Sequence, residues 1–129
     1  GFSAYDIASL IEDPYLNFPE SSSAAILDCY LQHSVLLPTE MRTFLTAYPY
    51  NALQRLLQAM AAYAYLSSIR GKSWFERFII PARERVSAWL GKLPEFPMLT
   101  AVIDEVRTIM ENRTNLWYGA IRGDRKLQI

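Results

Sequence analysis

Tyr50-Asn51-Ala52-Leu53-Gln54-Arg55-Leu56-Leu57-Gln58-Ala59-Met60-Ala61-Ala62-Tyr63-Ala64-Tyr65-Leu66-Ser67-Ser68-Ile69 is the stretch that decides the fold. Leu53, Leu56, Leu57, Met60, Ala61, Ala64, Tyr65 and Leu66 recur at steps of three and four and cover most of a helical circumference, so the pattern predicts a long helix at the buried centre of a bundle. Arg70-Gly71-Lys72 closes it, the glycine suiting a left-handed position after the last turn. Pro49 is expected to start it, since proline is tolerated in a first turn and not in a helix interior.

Working outward toward the N-terminus, Thr39 to Tyr48 reads as a separate helix. Its apolar stripe is Met41, Phe44, Leu45 and Tyr48, and Glu40 suits the dipole of its first turn. Before it, Ala25, Ile26, Cys29, Tyr30 and His33 share a helical spacing, with Ser21, Ser22 and Ser23 as caps and Val35-Leu36-Leu37-Pro38 as the end. Pro14 and Pro19 are expected to keep Asp13 to Pro19 extended. The opening helix runs to about Ile11, with Ser3 as its cap and Ile7, Leu10 and Ile11 as its apolar face. That face is expected to pack on the long helix between Leu53 and Leu66.

Toward the C-terminus, Ser73 caps a segment from Trp74 to Ile80, and Pro81 leads Ala82 to Leu90, stopped by Gly91; the two are either separate or one kinked helix. Leu93 to Pro97 reads as a rigid connector. Leu99, Val102, Ile103, Val106 and Met110 give a last helix from Met98 to Met110. Beyond Asn112 the pattern fails: Leu116, Trp117, Tyr118 and Ile121 could pack back, but Gly119, Gly123 and the charges of Arg122, Asp124, Arg125 and Lys126 argue for a tail. The expectation is therefore an all-α bundle of about five to seven helices around a long central helix, with a helical subdomain over 1–111 and a tail over 112–129.

Composition agrees, with 51% hydrophobic residues, 13% aromatic residues and only 5 glycines among 129 residues. The high apolar fraction leaves surface for another domain or for a homodimer. Lys plus Arg equals Asp plus Glu at 13 each, so no net field attracts nucleic acid or an anionic membrane. One cysteine and no basic-then-apolar leader or apolar span of ~18 residues lead us to expect a soluble cytoplasmic protein without a membrane partner.

Few motifs carry chemistry. Cys29 and His33 stand one turn apart, but two ligands do not make a zinc site and the chain has no other Cys or His, so we expect no metal site. One histidine excludes a Ser-His-Asp signature, and no nucleophile elbow is present. Gly71-Lys72-Ser73 resembles the end of a phosphate loop, yet it lacks the earlier glycine and follows a helix. Asn112-Arg113-Thr114 matches the glycosylation sequon, and with no secretory leader read in the sequence we expect it to be a chance match. Three groups remain. Asp6 is an acid in an apolar first turn and calls for donors. Glu12 and Asp13 precede Pro14-Tyr15, two carboxylates beside an aromatic, suited to polyhydroxylated or amino-bearing ligands. Arg55, on the helix expected to be most buried, must pair internally with an acid such as Asp6, Asp13 or Asp28, or reach a ligand anion; burial cost favours the internal pair.

Tyr5-Asp6-Ile7-Ala8-Ser9-Leu10 with Asp13-Pro14-Tyr15, followed by Leu53 to Ala59, Tyr63, Leu66, Arg70-Gly71-Lys72, Phe75, Ile80-Pro81 and Leu93-Pro94, resembles the C-terminal helical part of the aminoglycoside phosphotransferase family. The pattern is most similar to its bacterial N-acetylmuramate and amino-sugar kinases, over roughly Gly1 to Val106, with Phe2 where the family often has proline. The resemblance implies the helical subdomain of a kinase-like C-lobe, with Asp6 as a structural acceptor for the backbone of a catalytic loop. Glu12, Asp13, Tyr15 and Arg55 would face the acceptor substrate. The family's nucleotide lobe, His-Gly-Asp loop and metal-binding acids precede this helix, so no catalytic residue and no cofactor is expected in this chain. ATP and magnesium are implied for an intact parent acting on a sugar, amino-sugar or aminoglycoside hydroxyl, and the chain alone should be inactive. The parent could also be a pseudokinase. A different class, a free-standing α-helical interaction or dimerisation module, fits the composition equally.

Overall fold

Pro49 does not break the long helix. In the computed structural model, which describes the backbone over residues 3–124 and side chains over 4–114, one helix runs through it from Pro38 to Ser68. The order is α1 (Ser3–Ile11), α2 (Glu20–His33), α3 (Pro38–Ser68), a 3₁₀ segment (Ser73–Phe78), α4 (Ile79–Leu90) and α5 (Pro97–Asp124). The described residues contain five α-helices and no strand, an all-α fold. Two compact units divide the chain, Gly1–Pro94 and Glu95–Ile129, and α5 makes up most of the described part of the second.

The continuity of α3 corrects the reading of two helices, and the cause is tertiary. Phe44, Tyr48, Ala52, Leu56, Ala59, Tyr63 and Ser67 are all buried. They form one stripe at steps of three and four across the proline, so both halves bury the same face. Packing of that stripe outweighs the cost of about 3 kcal/mol for an interior proline. On either side of the proline, Asn51 donates to the Ala47 carbonyl at 2.9 Å and Thr46 to that of Arg42 at 2.9 Å. At the far end Gly71 adopts φ +67°, which lets the Lys72 N–H reach the Leu66 carbonyl at 2.9 Å.

Helix α1 buries Ala4, Ile7, Ala8 and Ile11, whereas Leu10 is exposed. Their core neighbours on α3 are Phe44, Tyr48 and Ala52, with Ile26, Leu27, Tyr30 and Leu31 of α2 and Trp89 of α4 around them. The seat therefore lies nearer Pro49 than the expected Leu53 to Leu66. Ala8 and Ala52, both fully buried, explain the shift, since alanines admit the closest approach of two helices. Tyr5 adds a hydrogen bond from its hydroxyl to Gln58 Oε1 at 2.9 Å. Ile11 is almost completely buried, and truncation to alanine should cost about 2–5 kcal/mol.

Further boundaries differ from the sequence pattern. The 3₁₀ segment starts with Ser73 itself and has no side-chain cap, and α4 starts at Ile79 with Pro81 inside its first turn, where a proline is tolerated. Helix α2 begins at Glu20 behind Pro19 without a side-chain cap, so the serines lie inside it. Asp13 to Leu16 coils where an extended segment is expected: the Asp13 carbonyl accepts from the N–H groups of Leu16 and Asn17, and its Oδ1 accepts from the Tyr15 N–H at 2.9 Å. This is an aspartate-led turn, released through Asn17 at φ 45°. Helix α5 continues to Asp124, past the Met110 end expected from periodicity. No proline interrupts that stretch, and loss of an apolar stripe does not by itself end a helix. The expected packing of Leu116, Trp117, Tyr118 and Ile121 lies outside the described side chains, as does the Ser3 cap.

Candidate functional site

Glu12 and Asp13 leave the C-terminal end of α1 as neighbours and part at once. The Glu12 N–H still bonds to the Ala8 carbonyl at 2.9 Å, which keeps its side chain on the buried side. Asp13 turns with the Pro14 bend. Sequence places the two acids in one loop; the structure gives each its own arginine and its own tyrosine.

Asp13 sits in the half-buried arrangement. Its Oδ2 lies 3.5 Å from Arg55 Nη2, both side chains being 25% exposed, and its Oδ1 accepts from the Tyr63 hydroxyl at 3.1 Å. Arg55 thus pairs with an internal acid, and its partner is Asp13. Burial of the Tyr63 hydroxyl, then the negative charge of Asp13 and the bond to it, push that hydroxyl up to about 12 against the opposing pull of Arg55. Tyr15 stands exposed beside this pair and joins an aromatic surface, 5.0 Å from Phe78 and edge-on to Trp74 at 6.2 Å. Tyr63 stacks on Phe75 in the same cluster, and Arg77 lies over Trp74 and Phe78. Asp13, Tyr15 and Arg55 are therefore brought together.

Glu12 is only 6% exposed. Its Oε2 lies 3.4 Å from Arg85 Nη1, and the Tyr48 hydroxyl donates to its Oε1 at 3.5 Å. Arg85 itself is held more tightly by the main chain, donating to the Ile11 carbonyl at 2.9 Å and to that of Phe18 at 2.7 Å, with Ser23 Oγ at 3.5 Å. One guanidinium of α4 thereby ties the end of α1 to the loop that leads into α2. Burial, reinforced by the charge of Glu12, raises the Tyr48 hydroxyl well above the usual phenol range. Arg85 is the residue that sequence reasoning missed. The buried residues of α4 are Ala82, Arg83, Val86 and Leu90; helical spacing sets position 85 beside them but does not single it out from the neighbouring arginines.

Asp6 is exposed on the first turn of α1 and has no hydrogen-bond or ion-pair partner among the described residues. His33 Nδ1 lies 2.8 Å from the Cys29 carbonyl, so the pair closes locally on its own helix. Among the described residues no group of three or more His, Cys, Asp or Glu side chains is arranged to hold a metal ion, and no helix is long and apolar enough to cross a membrane. Comparison of the chain with protein-family models, with curated proteins and with solved structures returns no match.

Proposed function

We propose that this chain is the acceptor-side helical part of an ATP-dependent phosphotransferase acting on a sugar, amino-sugar or aminoglycoside hydroxyl. In this reading the nucleotide lobe, catalytic loop and metal-binding acids come from sequence preceding Gly1. The observation that carries it is Asp6: a carboxylate with no partner among the described residues, on a helix whose other end is firmly anchored. That is the position at which the family resemblance calls for an acceptor of backbone N–H groups. ATP and magnesium would supply the phosphoryl group and the neutralisation of its charge. The contribution of this chain would be to hold the acceptor hydroxyl in position, with Asp13, Tyr15 and Arg55 on the substrate side; Glu12, which turns to Arg85 and Tyr48 instead, is left out of that surface. The exposed, unpaired Cys29 suits a reducing cytoplasm.

Radiolabelled ATP with a panel of amino sugars and aminoglycosides tests the reading. The product of the whole reading frame should transfer phosphate, and Gly1–Ile129 alone should not. Turnover by the chain alone would overturn the assignment, as would an inert whole product. The second outcome would favour the interaction module, for which α5 offers Met98, Val102 and Ile109, exposed and aligned along one side of the helix.

A further inference from the structure

A cavity of about 420 Å³ lies between the end of α1, α2 and α4, lined by Ile11, Phe18, Leu27 and Trp89 together with Glu12 and Lys92. Asp13, Tyr15 and Arg55 take no part in it. Its size falls within the range of small-molecule sites, and so does its make-up of apolar and aromatic walls with a few convergent polar groups. Ala24, Ala88 and Lys92, which also line it, are exposed, so the cavity opens to solvent at that rim.

The chemistry at its base is incomplete. Glu12 is buried, yet its two contacts, at 3.4 and 3.5 Å, are longer than the roughly 2.7–2.9 Å of a good charge-assisted hydrogen bond. A carboxylate has about four lone-pair sites, and here two are loosely engaged. Arg85 does not make up the difference, because its shortest bonds go to the carbonyls of Ile11 and Phe18. The guanidinium offsets the charge of Glu12 but leaves its acceptor capacity open toward the cavity. With charge already balanced at the base, a cation gains little there, whereas a neutral O–H or N–H donor gains a buried acceptor. At the wall the Lys92 ammonium lies 4.7 Å from the centre of the Trp89 ring, and that ring also meets Tyr48 edge-on at 5.8 Å. Such a wall favours an aromatic body.

We propose that this cavity is a binding site for a neutral aromatic or heteroaromatic molecule of about two fused rings, which donates an O–H or N–H to Glu12 and packs its rings against Trp89, Leu27 and Phe18. The inference does not depend on phosphoryl transfer. 2-Naphthol is a suitable probe, with 2-methoxynaphthalene as the partner of nearly the same shape that lacks the donor. Binding to the 129-residue chain is read from the indole N–H resonance of Trp89, assigned with Trp89→Phe. Saturable 2-naphthol binding is expected, with 2-methoxynaphthalene about tenfold weaker, the equivalent of one hydrogen bond. Ala24→Trp fills the cavity from its exposed rim without touching the core and should abolish binding while leaving the circular dichroism unchanged. Absence of a saturable shift up to the solubility limit, equal affinity for the two probes, or undiminished binding by Ala24→Trp would each overturn the assignment.

Discussion

The two ends of α1 carry acids in opposite situations. At the C-terminal end Glu12 and Asp13 are each enclosed by an arginine and a tyrosine from other elements, so their charges belong to the architecture. At the N-terminal end Asp6 stands exposed without a partner among the described residues. Placement on the helix explains part of the contrast. A negative charge suits a first turn, where the dipole and unpaired N–H groups favour it, and requires no further partner to be tolerated. At the last turn the same charge meets unpaired carbonyls and needs cations, which Arg85 and Arg55 supply. The enclosed acids tie α1 to α3 and α4 through their arginines and tyrosines, whereas Asp6 takes no part in that bracing.

The largest expected effect would break the enclosed end. Arg85→Met leaves Glu12 buried without its counter-charge and two carbonyls without their donor, and should lower urea-unfolding stability by about 3–5 kcal/mol. The double variant Glu12→Met/Arg85→Met should recover the part of that loss that comes from the uncompensated buried charge, while the Ile11 and Phe18 carbonyls stay without their donor. Additive losses would contradict a coupled pair. Next comes Arg55→Ala at the more open pair, with a loss of about 1 kcal/mol or less. A loss equal to that of Arg85 would erase the distinction between the two acids.

A pH dependence should follow from Tyr63. Its hydroxyl keeps its proton to about 12 in the folded chain against 10.0 ordinarily. Between those values the unfolded chain has released a proton that the folded chain retains, so stability falls as pH rises. Tyr63→Phe should make that alkaline decline shallower, as followed by circular dichroism; Tyr48 contributes in the same direction. An unchanged slope would show that burial beside Asp13 does not hold the proton on this phenol. The smallest effect is expected from Asp6→Asn, whose unfolding free energy should stay within about 0.5 kcal/mol of the parent.

Much of the fold was legible from periodicity. The burial of Ile7 and Ile11 on α1, the stop at Gly71 and the end of α4 before Gly91 all follow from steps of three and four and from punctuating residues, whereas Leu10 is exposed and α4 starts at Ile79, ahead of Pro81. The passage of α3 through Pro49 was not legible, because the local rule gives the cost of the proline and not the shared stripe from Phe44 to Ser67 that offsets it. The site divides in the same way. An arginine on the long helix demanded an acid, and sequence supplied three candidates, among which only tertiary placement selects Asp13. Arg85 escaped because its principal acceptors are the carbonyls of Ile11 and Phe18, and backbone acceptors leave no mark on a sequence. The separation of Glu12 from Asp13 was hidden too, since adjacency in the chain does not tell which side of a helix end each side chain takes.

The contrast between the two ends is tested most directly by phosphoryl transfer from ATP to an amino sugar, measured for the whole reading-frame product with and without Asp6→Asn. If Asp6 shapes a catalytic loop, the substitution should lower kcat by roughly 100-fold, the scale of a small misplacement of reacting groups, with the melting temperature unchanged. Equal kcat in the two proteins would show that the exposed acid has no part in the reaction and would contradict the role assigned to it.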